Sequence, residues 1–221
     1  MSTIRAGGAA IALGSFVFIC TIILFLTVLA PPSNADGSPI TLGQRGDDLL
    51  ARAAFFKLYW TIEAVAMGIL TAGAFLIAFR GNLGSWSALG FGLLGVGSLA
   101  NIAMYSFVLG TYFAVAGVAE TQPILLEAAN ASALAIFFVA NALAFLGVAI
   151  LFAMGISGPA SPLPRWANVV GTFAGILVFA AACAGPIVGA GIMSIAGPGA
   201  LTGYALLVWM GLKLFRTDAI S

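Results

Sequence analysis

Apolar residues run along this chain in long blocks rather than in the amphipathic patterns typical of a soluble domain. A helix needs about 20 mostly apolar residues to cross the hydrocarbon core of a membrane. Six blocks meet that length, and Pro, Gly and charged residues separate them. They predict an all-α transmembrane bundle of six spans, with approximate boundaries 9–29, 54–79, 88–118, 131–156, 166–195 and 200–215.

The segments between the blocks predict short connections within a single transmembrane domain covering residues 1–221. Residues 31–48 are rich in Pro, Gly, Ser and Asp, which favours an irregular outer loop. Residues 119–130 mix acidic and aliphatic positions and predict a short amphipathic helix on the membrane surface. The sequence Gly197-Pro198-Gly199 predicts the break between the fifth and sixth spans.

The amino-acid composition indicates a membrane protein. The protein is 62% hydrophobic and only 7% charged, whereas a soluble domain is about 25% charged. Its net charge of +1 offers no basic field for nucleic acid. We therefore expect a multi-pass membrane protein, with membrane lipids as its first partners and no nucleic acid partner.

The basic residues predict the orientation of the spans, because Lys and Arg collect on the cytoplasmic side. One side has a single acid, Asp218, and the following basic residues: Arg5, Arg80, Arg165, Lys213 and Arg216. The other side combines both signs: Arg45, Arg52, Lys57, Asp36, Asp47, Asp48, Glu120 and Glu127. The asymmetry predicts that both termini are cytoplasmic.

Glu63 is the acidic residue that falls well inside a predicted span. Counted at 1.5 Å per residue, Glu63, Asn101 and Asn141 fall near one central level of the membrane. A carboxylate at that depth is expensive unless it finds hydrogen-bond donors or a proton, and Asn supplies N–H donors. We therefore predict a central polar layer of these three residues.

Two interpretations of this layer remain open, beside that of a contact with a cofactor or ligand. In the first, the polar groups form a hydrogen-bonded clasp that fixes helix packing. In the second, Glu63 is a protonatable group in a proton or ion path.

Aromatic residues gather in the outer halves of the spans. Asn101, Tyr105 and Tyr112 recur at helical spacing on one face of the third span. An interfacial aromatic belt explains such residues. The alternative is an outward-facing cleft for a lipid, quinone or carotenoid, which would be lined by Tyr59, Trp60, Tyr105, Tyr112 and Tyr204. No cofactor is required by the sequence.

Small residues predict close helix packing. Gly171 and Gly175 form one GxxxG pair, and Gly185 and Gly189 form another. Such pairs let backbones approach closely, within one bundle or between two membrane proteins. Pro186 predicts a kink in the outer half of the fifth span.

Several kinds of chemistry lack their usual residues. The chain has no histidine, so histidine-ligated metal sites and histidine-based nucleophilic catalysis are excluded. Its two cysteines, Cys20 and Cys183, lie in apolar blocks and are expected to be small buried side chains rather than metal ligands. No catalytic residue and no metal site are predicted, and an enzyme is the least favoured class.

Arg52, just before the second span, and LPRWANVVGTFAGIL, at the start of the fifth, carry a resemblance at the level of topology. The chain resembles a broad group of bacterial six-span membrane proteins of unknown function. The resemblance implies a multi-pass protein of a bacterial inner membrane, with a six-span fold and a long first outer loop. It carries no catalytic residues to transfer.

Two functions follow from these features. The first is a non-catalytic accessory or assembly subunit of a larger inner-membrane complex, which associates with other membrane subunits or itself and holds a lipid, quinone or pigment. The second is a small proton- or ion-coupled transporter or channel that uses Glu63.

Overall fold

The computed structural model describes residues 2–29, 40–79, 84–158, 161–189 and 191–216. Its helices are α1 (Thr3–Leu24), α2 (Leu42–Ala51), α3 (Ala53–Ala78), α4 (Ser85–Ala116), α5 (Pro123–Ser157), α6 (Arg165–Val188) and α7 (Ile192–Arg216). A π-helical turn, Phe25–Leu29, continues α1. All of these helices except α2 are long and apolar enough to cross a membrane. The chain is an all-α, multi-pass integral membrane protein, as predicted.

The six spans form a closed ring. Each span packs against its neighbours along the chain, and α1 closes the ring by packing against α7. Glycines make this closure possible, because a Cβ at Gly8 would lie 2.8 Å from the Gly211 carbonyl oxygen. The ring therefore has a lipid-facing outside and a side-chain-filled interior.

We call the end of the bundle that holds Thr3 and Arg216 the inner end, after the predicted orientation, and the opposite end the outer end. Trp86 and Trp166 lie near the inner ends of their helices and are 60% exposed. Trp209 lies 5.7 Å from Trp166 between ring centroids. These positions suit anchors in the membrane interface.

The first outer connection differs from the prediction. Residues 31–39 of the predicted irregular loop lie outside the described part of the chain, but α2 begins at Leu42. Thr41 and Gln44 form a capping box, in which the Gln44 N–H donates to the Thr41 hydroxyl and the Thr41 N–H donates to the Gln44 side chain. Leu49 of α2 is buried, so this short helix covers the outer end of the bundle.

The second outer connection also differs. Residues 123–130 are the first turns of α5 rather than a separate surface helix, and turns connect them to α4. Pro123 occupies the first position of α5, where the missing N–H costs nothing. With 35 residues, α5 is roughly 52 Å long and exceeds the ~30 Å hydrocarbon core.

The break between the last two spans lies earlier than predicted. Helix α6 ends at Val188, and Gly189 has a positive φ of 91°, a conformation that glycine adopts readily. Pro198 lies inside α7. Gly199 packs against Leu177 and Val178 of α6, and this contact holds the turn around Pro198 in a helix that local preference alone would end.

Exposed residues at the two ends allow a test of orientation. In a variant with Cys20 and Cys183, both free and exposed, replaced by Ala, we expect membrane-impermeant thiol reagents applied to intact cells to label Gln122→Cys. They should miss Ser85→Cys until the cells are opened. Both positions are exposed in the bundle. The opposite labelling pattern would invert the predicted topology.

Candidate functional site

Glu63 lies near the middle of α3 and points into the ring. It is only 3% exposed, and it is the one charged side chain that is buried among the described residues. The Tyr59 hydroxyl, one turn earlier on α3, donates to Glu63 Oε1 at 2.6 Å. The hydroxyls of Thr21 on α1 and Tyr105 on α4 also face the carboxyl. The carboxyl is thus the meeting point of three spans.

Helix register brings these groups together. Tyr59 and Glu63 share a face because they are four residues apart. Gly68 faces Ile102, and the Thr71 hydroxyl contacts the Gly95 carbonyl oxygen at 3.5 Å, which places Tyr105 beside Glu63 in the antiparallel α3–α4 pair. On the other side, Gly14 of α1 packs against Ala66 and Leu70.

The partners of Glu63 are hydroxyl groups, and this choice has a chemical consequence. A hydroxyl both donates and accepts hydrogen bonds. It can donate to a carboxylate, as Tyr59 does, or accept from the same carboxyl when a proton is bound. The Thr21 hydroxyl donates to the Phe18 carbonyl oxygen at 2.8 Å, which leaves its lone pairs available. The site can therefore hold Glu63 in either form without moving a helix.

The two asparagines of the predicted layer do not supply the partners of Glu63. Asn101 Nδ2 donates to the Gly97 carbonyl oxygen of its own helix at 3.4 Å, and Asn141 Nδ2 donates to Phe137 O at 2.8 Å. Asn101 lies one turn inward from Tyr105, the α4 residue that faces Glu63. Counting from the span ends could not separate levels that differ by one turn, about 5.4 Å.

Asn101 instead belongs to a second polar region, inward from Glu63. Gly97 fits between Ala140 and Ala144 of α5, so Asn141 lies along the stretch of α5 that packs on Ser98 and Asn101. Both α4 side chains are 1% exposed. Ser98 Oγ and Asn101 Oδ1 have no hydrogen-bond partner, and neither has Ser15 Oγ on α1.

A third polar group lies toward the outer end. The Tyr112 hydroxyl donates to Asn130 Oδ1 at 2.9 Å, and Arg45 Nη2 of α2 donates to the same oxygen at 3.3 Å. Trp60 packs edge-on against Tyr112 at 5.8 Å. This network links the amphipathic helix α2 to α4 and α5.

The aromatic residues predicted to line a ligand cleft are largely buried inside the ring. Tyr59, Tyr105, Tyr112 and Tyr204 are each at most 6% exposed, and Trp60 is half-buried. They face the ring interior rather than the membrane interface of an aromatic belt. Tyr204 meets Phe18 at 4.8 Å and Phe145 at 5.4 Å, between ring centroids.

Two cavities in the described part of the chain lie away from these side chains. One, of about 210 Å³, is an apolar groove on the lipid-facing surface between α1 and α3. The other, of about 320 Å³, lies at the inner end of the ring.

Three of the four predicted packing glycines lie at the α5–α6 contact. Gly171 faces the Phe152 ring, Gly175 faces the backbone of Ala149, and Gly185 faces the Phe138 ring. Gly189 instead ends α6, with no atom near the position of its absent Cβ. Pro186 lies inside the last turn of α6. These glycines serve the bundle itself, and so they do not point to a separate partner protein.

Sequence reasoning missed Thr21, Asn130 and the role of Arg45. Threonine is ordinary in an apolar span because its hydroxyl bonds its own helix, so no local signal distinguishes Thr21. Asn130 and Arg45 meet only through the packing of α2. The cysteines were expected to be buried, but both are exposed on the bundle surface.

No family model, curated protein or solved structure matches this chain. The predicted resemblance to bacterial six-span proteins stays a prediction. Among the described residues, no three acidic, cysteine or histidine side chains come together as a metal site would require.

Proposed function

We propose that this membrane protein is a small proton-coupled transporter or channel in which Glu63 takes up and releases the proton. The observation that carries the proposal is the position of this carboxyl, 3% exposed inside a closed ring of six spans and surrounded by hydroxyls from α1, α3 and α4. Intramembrane carboxyls that face a bundle interior are characteristic of proton relays.

Hydroxyl partners support a proton site more than a permanent clasp. A clasp around a fixed charge is best made by donors that cannot reverse, such as Arg or Asn N–H groups. The described residues show no ion pair to Glu63, and the nearby Asn101 donates to Gly97 instead. The hydroxyl groups around Glu63 can form hydrogen bonds with its carboxyl in both protonation states.

The experiment is proton movement into liposomes that contain the purified protein and a pH-sensitive dye, driven by a potassium diffusion potential. We expect wild type to acidify the lumen and Glu63→Gln to abolish this movement while remaining folded. Glu127→Gln, an exposed carboxyl on α5, is the matched control and should behave as wild type. Equal proton movement by Glu63→Gln and wild type would overturn the proposal.

An accessory subunit is the second candidate, because the outer end carries uncovered apolar residues. Gly185, near the end of α6, packs at Phe138, so α6 leaves the first turns of α5 uncovered. Ile124 and Leu125 in those turns are 66% and 41% exposed and could contact another membrane subunit. The groove between α1 and α3, lined by Leu13, Val17 and Ile62 among others, suits an acyl chain or another long apolar molecule such as a quinone or carotenoid. The accessory-subunit role would be favoured if Glu63→Gln retained the cellular function of the wild type and a second protein co-purified with it in a fixed ratio.

A further inference from the structure

We infer that protons reach Glu63 from the inner end of the ring, through water held along the buried face of α4. The inference rests on the proposed function, since it names the path by which the Glu63 carboxyl exchanges its proton.

The buried face of α4 leads inward from the site. Tyr105 faces Glu63, and Asn101, Ser98, Leu94 and Phe91 follow it at spacings of three or four residues. Such spacings keep side chains on one helix face. All of these residues are at most 5% exposed. Two of the first three groups inward from Glu63 on this face are thus polar.

Two polar atoms on this face of α4 lack hydrogen-bond partners in the protein. Asn101 Oδ1 and Ser98 Oγ are fully buried without a hydrogen bond, and Ser15 Oγ of α1 is in the same condition. Native proteins rarely leave buried polar atoms unsatisfied. Internal water molecules commonly bond to such atoms and make about three hydrogen bonds each. Water bonded to Asn101 and Ser98 would extend the hydroxyl shell of Glu63 inward by roughly 10 Å.

A cavity lies farther along the same face. It has a volume of about 320 Å³ at the inner end, and Phe91 and Ser87 of α4 line it together with Ile77 and Leu214. Along this face of α4, Leu94 is the residue that lies between Ser98 and the cavity-lining Phe91. Leu94 is 1% exposed, so passage of water at this level controls the exchange of protons.

The outer direction offers fewer such atoms. Outward from Tyr105, the buried face of α4 continues with Val108 and Tyr112, and the Tyr112 hydroxyl is already bonded to Asn130. Among the described residues, the remaining buried atom without a partner is Arg52 Nε. It lies eleven residues before Glu63 in the chain, with the buried Phe56 and Tyr59 side chains between them.

The transfer itself is a simple proton equilibrium. A hydronium or water molecule on the inner side donates a proton to the Glu63 carboxylate, which becomes a neutral carboxylic acid. Release returns that proton to water and restores the carboxylate. The hydroxyls of Tyr59 and Tyr105 keep their own protons in both states.

The test is hydrogen–deuterium exchange at the Glu63 carboxyl, followed by infrared spectroscopy after a change to D₂O at a pH where the acid band is present. Loss of that band in Glu63→Gln identifies it. We expect the double variant Ser98→Ala with Asn101→Leu to slow exchange at least tenfold, and Ser98→Ala alone to slow it less. Ser106→Ala, on the exposed face of α4, and Tyr112→Phe, on the outer side, should leave exchange unchanged.

The outcomes separate the path from the function. Unchanged exchange in the folded double variant, or slowing by Tyr112→Phe instead, would overturn the inner path while Glu63-dependent proton movement in liposomes still stood. Ser98→Ala alone keeps the test valid should the double variant fail to fold. Failure of Glu63→Gln to affect proton movement would overturn the proposed function itself.

Discussion

Replacement of Gly97 by Ala is expected to destabilise the bundle strongly, although it adds a single methyl group. A Cβ at this position would lie 2.6 Å from the Ala140 carbonyl oxygen and closer still to the Ala144 amide nitrogen. Both neighbours are backbone atoms of α5, so neither can rotate away. Overpacking of this kind typically costs about 1–3 kcal/mol. Thermal unfolding in mild detergent measures the loss.

Gly92 on the same helix is the matched control. A Cβ at Gly92 would meet no atom within 4 Å. Gly92→Ala should therefore leave stability unchanged or raise it by up to about 1 kcal/mol, since Ala favours helix. Equal destabilisation by both substitutions would show that the α4–α5 backbones are not in close contact at Gly97.

Glu63→Leu is expected to destabilise the protein much more than Glu63→Gln. Leucine has no acceptor for the Tyr59 hydroxyl, which donates to Glu63 Oε1 at 2.6 Å, or for the Tyr105 hydroxyl, which also faces the carboxyl. Each buried polar group left unsatisfied costs about 1–3 kcal/mol. Glutamine keeps a carbonyl oxygen for Tyr59 and should cost less than about 1 kcal/mol. Chemical or thermal unfolding of both variants checks the ranking.

Glu127→Leu separates the loss of a carboxyl from the loss of this site. Glu127 is exposed on α5, and surface substitutions usually change stability by less than about 0.5 kcal/mol. If Glu63→Leu were as stable as Glu127→Leu, the hydrogen bonds between these hydroxyl groups and Glu63 would contribute nothing to stability.

Together, the stability and proton measurements separate the two roles open to Glu63. A clasp requires acceptor oxygens, which Gln retains. A proton site requires an ionisable group, which Gln lacks. If Glu63→Gln is stable but does not move protons, Glu63 is a proton site. The loss of stability in Glu63→Leu measures only the contribution of the hydrogen bonds. The hydroxyl partners allow both roles to reside in one cluster.

Local sequence misled at two places where packing overrides intrinsic preference. Gly197-Pro198-Gly199 contains strong helix breakers, yet α7 continues through them because Gly199 packs against α6. The first outer connection contains the Thr41–Gln44 capping box, which is a readable helix signal. The Gly and Asp residues that follow obscured it. Buried Leu49 shows that tertiary contact completes this helix.

The sequence alone determined the class, the number of spans and the residue of interest. Lipid offers no hydrogen bonds to the backbone, so each long apolar block must become a helix, and a carboxyl within such a block must face the bundle. The partners of that carboxyl were decided by tertiary structure. They depend on the register between α1, α3 and α4, which is set by contacts at Gly14, Gly68 and Gly95. A shift of one helical turn between α3 and α4 decides whether Asn101 or Tyr105 faces Glu63. The residue pattern along a single helix does not contain this information.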